Sequence, residues 1–156
     1  MKGSAKVLKE LNKLLALELA AIDQYFIHAR MYQDWGLEKL YERINHESED
    51  EREHASRLIE RILLLEGIPD MKTRTGLNIG KDVPEMLAND LNLELTDDKA
   101  LKDAIKICEA EKDYQTREIL EDLLKDTEED HAYWLEQQLG LIEKIGLPNY
   151  LQSQAS

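Results

Sequence analysis

The chain has 156 residues, of which 42% are hydrophobic and 34% are charged, with only three Pro and seven Gly. These proportions suit one domain with a single apolar core, and they favour long helices over a sheet. The formal net charge of -13 argues against nucleic acid as a partner, because an acidic surface repels phosphates and attracts cations.

Apolar residues recur at helical spacing in four long segments. The predicted helices cover residues 4–34, 37–66, 83–111 and 114–145, followed by a short tail helix over about 149–152. Ser4 and Asp82 are expected to cap the first and third helices, and Gly67 is expected to end the second. The sequence therefore predicts an all-α fold in one domain that spans residues 1–156.

Residues 67–83 show no helical period, and such a long loop inside a compact domain should have a role. The simplest role is to cross the length of the bundle, because a helix of 28 residues is about 42 Å long. We therefore expect a four-helix bundle with one long crossover connection and a short C-terminal fifth helix.

The cysteine and hydropathy patterns bear on location. The single cysteine, Cys108, cannot form an internal disulfide and is typical of a reducing compartment. The N-terminal residues lack the apolar core of a signal peptide, and no run of about 18 apolar residues could span a membrane. We expect a cytoplasmic protein without a membrane partner.

Each predicted helix places an acidic residue within its apolar stripe, and two of these acids have a His three residues later. The residues are Glu18, Glu51, His54, Glu94, Glu128 and His131. Burying four ionised carboxylates in one core is untenable unless cations neutralise them. Residues three apart on a helix are neighbours, so Glu-x-x-His can direct an oxygen and a nitrogen at one point. Such mixed ligands suit Fe²⁺, Mn²⁺ or Zn²⁺.

The spacing of these residues repeats between the two halves of the chain. Glu18 and Glu51 are 33 residues apart, and Glu94 and Glu128 are 34 apart. A π-bulge in the fourth helix would absorb the extra residue. One Glu from each of two helices and Glu-x-x-His from the other two is the ligand pattern of di-iron bundles. The competing interpretation is that these acids are exposed and only solvate the helices.

Several further segments resemble bacterioferritin, a family of the ferritin-like superfamily, and the resemblance covers essentially the whole chain. They are residues 1–3, 23–31, 46–51, 77–80 and 149–152. The resemblance implies a hollow 24-subunit shell that oxidises Fe²⁺ with O₂ or H₂O₂ and stores a ferric mineral. It also implies that the six residues above form the ferroxidase centre, with Glu51 and Glu128 bridging two iron ions.

The resemblance assigns roles to three more residues. Tyr25 matches a tyrosine that can supply an electron, although a buried aromatic could equally be simple core. His46 and Asp50 match a further iron site on the inner surface of the shell. Their alternative interpretation is an ordinary exposed pair, four residues apart on a helix.

One position departs from the family. Bacterioferritins usually bind haem b at a two-fold interface through a Met, and Arg52 occupies that position here. A guanidinium stays protonated and cannot ligate haem iron. We therefore predict that an assembly of this chain alone binds haem poorly or not at all. A mixed shell with a second, Met-bearing subunit would retain it. Electron delivery by a bacterioferritin-associated ferredoxin is also placed in question.

Two rival functions remain open from the sequence. The first is a di-iron oxygenase or peroxide reductase on the same bundle, which would need a substrate pocket. The second is a non-catalytic helical interaction protein. Iron storage with ferroxidase activity is the function that we expect.

Overall fold

The computed structural model describes residues 1–155, and every regular element within them is a helix. The elements are α1 (Ala5–Asp34), α2 (Glu38–Leu64), α3 (Val83–Ala110), α4 (Tyr114–Lys125), a π-helical segment (Asp126–Ala132), α5 (Tyr133–Ile145) and α6 (Leu147–Gln154). Because α4, the π-helical segment and α5 follow one another without a break, they form one long fourth helix. The predicted all-α bundle with a short C-terminal helix is confirmed. Among residues 1–155, no helix combines the length and apolar character needed to cross a bilayer.

The helix starts follow ordinary capping chemistry. The Ser4 hydroxyl accepts a hydrogen bond from the Lys6 amide at 3.2 Å, and the Asp82 carboxylate accepts one from the Glu85 amide at 3.0 Å. Pro84 lies in the first turn of α3, where its missing amide proton costs nothing. These contacts fix where α1 and α3 begin, and thus where their buried acids lie.

The crossover between α2 and α3 runs along α1. Near its start, the Asp70 amide donates to the Asn12 side chain at 2.9 Å, and near its end the Gly80 amide donates to His28 Nε2 at 3.1 Å. Asn12 and His28 are about 24 Å apart along the axis of α1. The crossover therefore returns the chain to the opposite end of the bundle, and α3 runs antiparallel to α1.

The core consists of two apolar clusters, one towards each end of the bundle. The first includes Leu11, Leu58, Leu101 and Leu120, and the second includes Tyr25, Ile44, Leu87 and Leu135. Several buried acidic and imidazole side chains, among them Glu18, Glu51 and His131, lie where the two clusters meet. An interior of this kind is stable only if its charges are compensated, so the middle of the bundle is the place to look for a site.

Candidate metal centre

Five of the side chains predicted as metal ligands meet in the polar layer at the middle of the bundle. They are Glu18 on α1, Glu51 and His54 on α2, Glu94 on α3 and His131 in the π-helical segment, and none is more than 3% exposed. Each of the four long helices thus contributes at least one donor to a site that is closed to solvent.

Glu51 is the centre of this arrangement. It forms one trio of potential ligands with Glu18 and His54 and a second trio with Glu94 and His131. In each trio, one ligand atom from every residue lies within 4.8 Å of the others. The rings of His54 and His131 are stacked with their centroids 5.8 Å apart. Two cations can therefore sit side by side, with the Glu51 carboxylate between them.

The two nitrogens of His54 face different partners. Its Nδ1 lies 3.6 Å from Glu18 Oε2 and 3.6 Å from Glu51 Oε2, whereas its Nε2 lies 3.0 Å from Asp126 Oδ2. Burial alone would lower the pKa of His54, but Glu51 and Asp126 raise it to about 9. When Nε2 donates its proton to Asp126, the lone pair of Nδ1 is left for a metal ion.

His131 repeats this arrangement in the second trio. Its Nδ1 lies 2.8 Å from Glu51 Oε1 and 3.2 Å from Glu94 Oε1. Its Nε2 lies 2.6 Å from Glu47 Oε2, and Arg43 holds the other oxygen of Glu47 at 2.7 Å. Burial lowers the pKa of His131, but the surrounding carboxylates outweigh burial and raise it strongly. Here too an acceptor on Nε2 leaves Nδ1 to face the metal position.

Other groups of the protein compensate the negative charges of these buried acids poorly. Burial, Asp97 and Glu51 raise the pKa of Glu18 well above its usual range. Burial and Glu51 raise the pKa of Glu94 to about 8, even though His131 opposes the shift. Without a cation, these groups are accommodated only by taking up protons, and divalent ions would displace those protons.

Several buried polar atoms of the layer have no hydrogen-bond partner. They are both carboxylate oxygens of Glu18, Oε2 of Glu94, Oδ1 of Asp97 and Nδ1 of His54. Most buried polar atoms in proteins are satisfied, so several orphans at one place indicate a missing partner. Oxygen and imidazole donors in this number fit a pair of Fe²⁺ ions or a similar transition metal.

Glu128, the sixth predicted ligand, does not lie among these five side chains in the structure. This side chain is 42% exposed, and its Oε2 lies 3.0 Å from Lys102 Nζ. The predicted π-bulge is confirmed and supplies the reason. In a π-helical turn, residues five apart share a face, so His131 is aligned with Asp126 and the buried Thr127 instead of with Glu128.

Sequence reasoning missed three acids that contact this centre, namely Glu47, Asp97 and Asp126. Glu47 lies four residues before Glu51, and Asp97 lies three after Glu94. Helical spacing could have placed both on the buried stripes. No such rule locates Asp126, because its contact with His54 depends on the π-helical turn.

The remaining predicted residues lie around the centre. Tyr25 is fully buried, and its hydroxyl donates to Glu94 Oε1. His46 Nε2 lies 3.5 Å from Asp50 Oδ2, and the same Asp50 oxygen lies 3.3 Å from His131 Nε2. The His46 side chain is 59% exposed. The pair therefore links the buried centre to one surface of the bundle.

Comparison with known proteins extends this description. A family model for the ferritin-like domain matches residues 8–145. The chain is 64% identical over its full length to a "Bacterial ferritin" of Synechocystis sp., which it also covers fully. It is 59% identical to a "Bacterial ferritin" of Pseudomonas aeruginosa, with 99% of both chains covered. It is 41% identical to a "Bacterioferritin" of Brucella melitensis, of which it covers 96%.

Proposed function

This chain belongs to the ferritin-like domain family, and we propose that it stores iron by oxidising Fe²⁺ at the centre around Glu51. The observation that carries the proposal is that Glu51 belongs to both trios of potential ligands. The names of the relatives, "Bacterial ferritin" and "Bacterioferritin", agree with iron storage. The ferric product would be deposited inside a shell of many subunits.

The substrate ions bind side by side. One Fe²⁺ is held by Glu18, Glu51 and His54, and the other by Glu51, Glu94 and His131. Glu51 bridges the two ions, and Glu128, which pairs with Lys102 outside the centre in this structure, is the second bridging carboxylate once it turns inward. The two imidazoles bind through Nδ1, because the Nε2 atoms face Asp126 and Glu47 instead.

The carboxylates favour oxidation because they stabilise Fe³⁺ more than Fe²⁺ in a site that is closed to water. Each Fe²⁺ gives up one electron. O₂ takes up the pair of electrons with two protons to give H₂O₂, or H₂O₂ takes them up with two protons to give two water molecules. The Tyr25 hydroxyl donates to Glu94 Oε1. This contact supports a role for Tyr25 as an electron donor to the reacting ions.

His46 and Asp50 form the further iron site outside the centre. The Asp50 carboxylate lies between the exposed His46 and the buried His131 and is close to both. An ion leaving the second metal position would meet the Asp50 carboxylate before it reaches solvent. This pair would therefore receive iron on its way to the mineral.

The oligomeric part of the proposal is a shell of 24 subunits, built from this chain alone or together with a second, Met-bearing subunit. Size-exclusion chromatography with light scattering measures it directly. A mass near 24 subunits supports storage. A monomer or dimer would favour the rival di-iron oxygenase or peroxide reductase.

Oxidation kinetics test the centre itself. Fe²⁺ is added in air, and the ferric absorbance is followed for the wild type, Glu51→Ala and His54→Ala. Both variants should lose the fast phase. Glu53→Ala is the matched control, because Glu53 is exposed and lies between the two residues on α2. Unchanged rates in Glu51→Ala would contradict the proposal.

A further inference from the structure

We propose that Tyr32 and Trp35 continue an electron path from Tyr25 to the surface at the end of α1. This inference rests on the proposed function, because it extends the role given there to Tyr25. The path supplies the second electron when H₂O₂ meets a centre that holds only one Fe²⁺. Without that electron, a single Fe²⁺ splits H₂O₂ into hydroxide and a hydroxyl radical, which damages the protein.

Tyr25 and Tyr32 lie on the same face of α1. Seven residues are close to two full helical turns, so the two side chains are separated by about 10 Å along the helix axis. Both are fully buried, and both belong to the same apolar cluster. The hydroxyl of Tyr25 donates to Glu94 Oε1. The path therefore begins at a proposed iron ligand and runs through the core towards the end of the bundle.

Trp35, the C-terminal cap of α1, completes the path. Its ring meets the Tyr32 ring edge to face, with the centroids 6.3 Å apart. Trp35 is 43% exposed, whereas Tyr32 is fully buried. Because electron tunnelling slows steeply with distance, short steps between aromatic rings are faster than one long transfer. An electron can thus reach the closed centre from the solvent-facing indole.

The hydroxyl of Tyr32 is not explained by packing alone. It is buried without a hydrogen-bond partner, although buried Tyr hydroxyls usually have one. Burial raises the pKa of Tyr32, and the Asp90 carboxylate raises it further, so the two groups are near each other. Oδ2 of Asp90 also has no hydrogen-bond partner. Phe would fill this place without an unpaired polar group, whereas a phenol next to a free carboxylate oxygen can lose an electron and pass on its proton.

The electrons and protons of this reaction balance. H₂O₂ takes up two electrons and two protons to give two water molecules. One electron comes from the single Fe²⁺, which becomes Fe³⁺, and the other comes from Tyr25. Tyr32 then reduces Tyr25, and Trp35 reduces Tyr32. The proton of Tyr25 moves to Glu94 on oxidation and returns on reduction. Asp90 takes and returns the proton of Tyr32 in the same way.

The oxidising equivalent therefore ends on Trp35. Its indole proton goes to water, which leaves a neutral tryptophanyl radical at the surface. A further Fe²⁺ in solution then reduces the radical and becomes Fe³⁺, while the indole takes a proton back from water. The radical is thus removed by the protein's own substrate, away from the carboxylates and imidazoles of the centre.

The test combines rapid freeze-quench EPR with mass spectrometry of peptides that contain Trp35. The assembled protein receives one Fe²⁺ for every two chains without air, and H₂O₂ is then added. The variants are Tyr32→Phe and Trp35→Phe. Tyr114→Phe is the matched control, because Tyr114 is exposed and lies at the start of α4, outside the path. Tyr32→Phe removes only an unpartnered hydroxyl, so it should fold as the wild type does, which thermal melting checks.

We expect the wild type and Tyr114→Phe to form an aromatic radical and to contain oxidised Trp35. Tyr32→Phe should lose most of the oxidised Trp35, and Trp35→Phe should keep a longer-lived tyrosyl radical. When both positions are filled with Fe²⁺ before H₂O₂ is added, iron supplies both electrons, and the radical should be largely lost. Equal oxidation of Trp35 in Tyr32→Phe and the wild type, or a radical that is insensitive to the iron loading, would overturn the inference.

The ferric absorbance, recorded in the same samples, distinguishes the two proposals. Fast oxidation of Fe²⁺ in the wild type with neither a radical nor oxidised Trp35 would refute the electron path and leave the proposed function standing. A wild type that does not oxidise Fe²⁺ faster than free solution would instead refute the proposed function itself.

Discussion

His54 and Asp126 join α2 to the fourth helix through a contact of 3.0 Å between Nε2 and Oδ2. Asp126 is more than half exposed, whereas His54 is buried. The Asp126 carboxylate thus holds the Nε2 side of the His54 ring, while Nδ1 on the other side faces Glu18 and Glu51. The contact selects the tautomer of His54 and fixes the direction of its free nitrogen.

Replacing Asp126 by Ala should therefore weaken metal binding without touching a proposed ligand. We expect about a tenfold loss in Zn²⁺ affinity at one of the two positions, measured by calorimetry. Asp122→Ala is the control, since Asp122 lies one turn earlier, is exposed and pairs with Arg57. Equal affinities for the two variants would show that the contact does not position His54.

Glu47 has the corresponding role for His131. It is 2% exposed, and it lies between Arg43 and His131 Nε2. Glu47→Ala should lower Zn²⁺ affinity about tenfold or more, and Glu47→Gln should restore most of it, because the amide oxygen still accepts from Nε2. Glu49→Ala, at an exposed neighbouring position, should have no effect. A loss in Glu47→Gln as large as in Glu47→Ala would argue for the charge instead of the orientation.

Much of this architecture follows from local patterns. Caps at Ser4 and Asp82, a break after α2 and an aperiodic crossover are each encoded within a few residues, and the structure contains them all. Likewise, Glu18 and Glu94 interrupt apolar stripes whose period is that of an α-helix, so their inward direction can be inferred.

The orientation of the Glu128 side chain could not be inferred from helical spacing. The extra residue in the second half of the chain indicated a π-bulge, but not which side chains it would turn inward. Placing Glu128 beside His131 assumed α-helical spacing through a segment that is π-helical. Only three-dimensional packing decides that Thr127 is buried there, with its hydroxyl 3.5 Å from the Asp97 carboxylate on α3.

Cys108 offers a test of the apolar cluster away from the metal centre. The thiol is 1% exposed, and burial, with Asp113, raises its pKa to about 11. Because the thiolate is the reactive form, only about one molecule in a thousand is reactive at pH 8. A disulfide reagent should label the native protein slowly at pH 8 and faster as the pH rises, and label it fully in denaturant. Rapid stoichiometric labelling at pH 8 would contradict this environment.

Gly80, at the end of the crossover, packs closely against the backbone of α3. A Cβ at this position would lie 2.5 Å from the Met86 amide nitrogen and 2.8 Å from its Cα, which are backbone atoms that cannot easily move. Gly80→Ala should lower the free energy of unfolding by about 1–3 kcal/mol in chemical denaturation. Gly76→Ala is the matched control in the same crossover, because a Cβ there meets nothing within 4 Å. Similar stabilities of the two variants would show that the crossover adapts.

Arg52 should prevent haem binding by an assembly of this chain alone. Its side chain is exposed on α2, at the position where the resemblance to bacterioferritin places a haem-ligating Met. The guanidinium has no lone pair to offer iron and would bring a positive charge to an apolar macrocycle. Haem b added to a pure assembly of this chain should therefore give no Soret band of stoichiometric intensity. Arg52→Met is the informative variant, because it supplies a thioether while leaving the metal centre unchanged. A full Soret band in the wild-type assembly would mean that another residue ligates the haem.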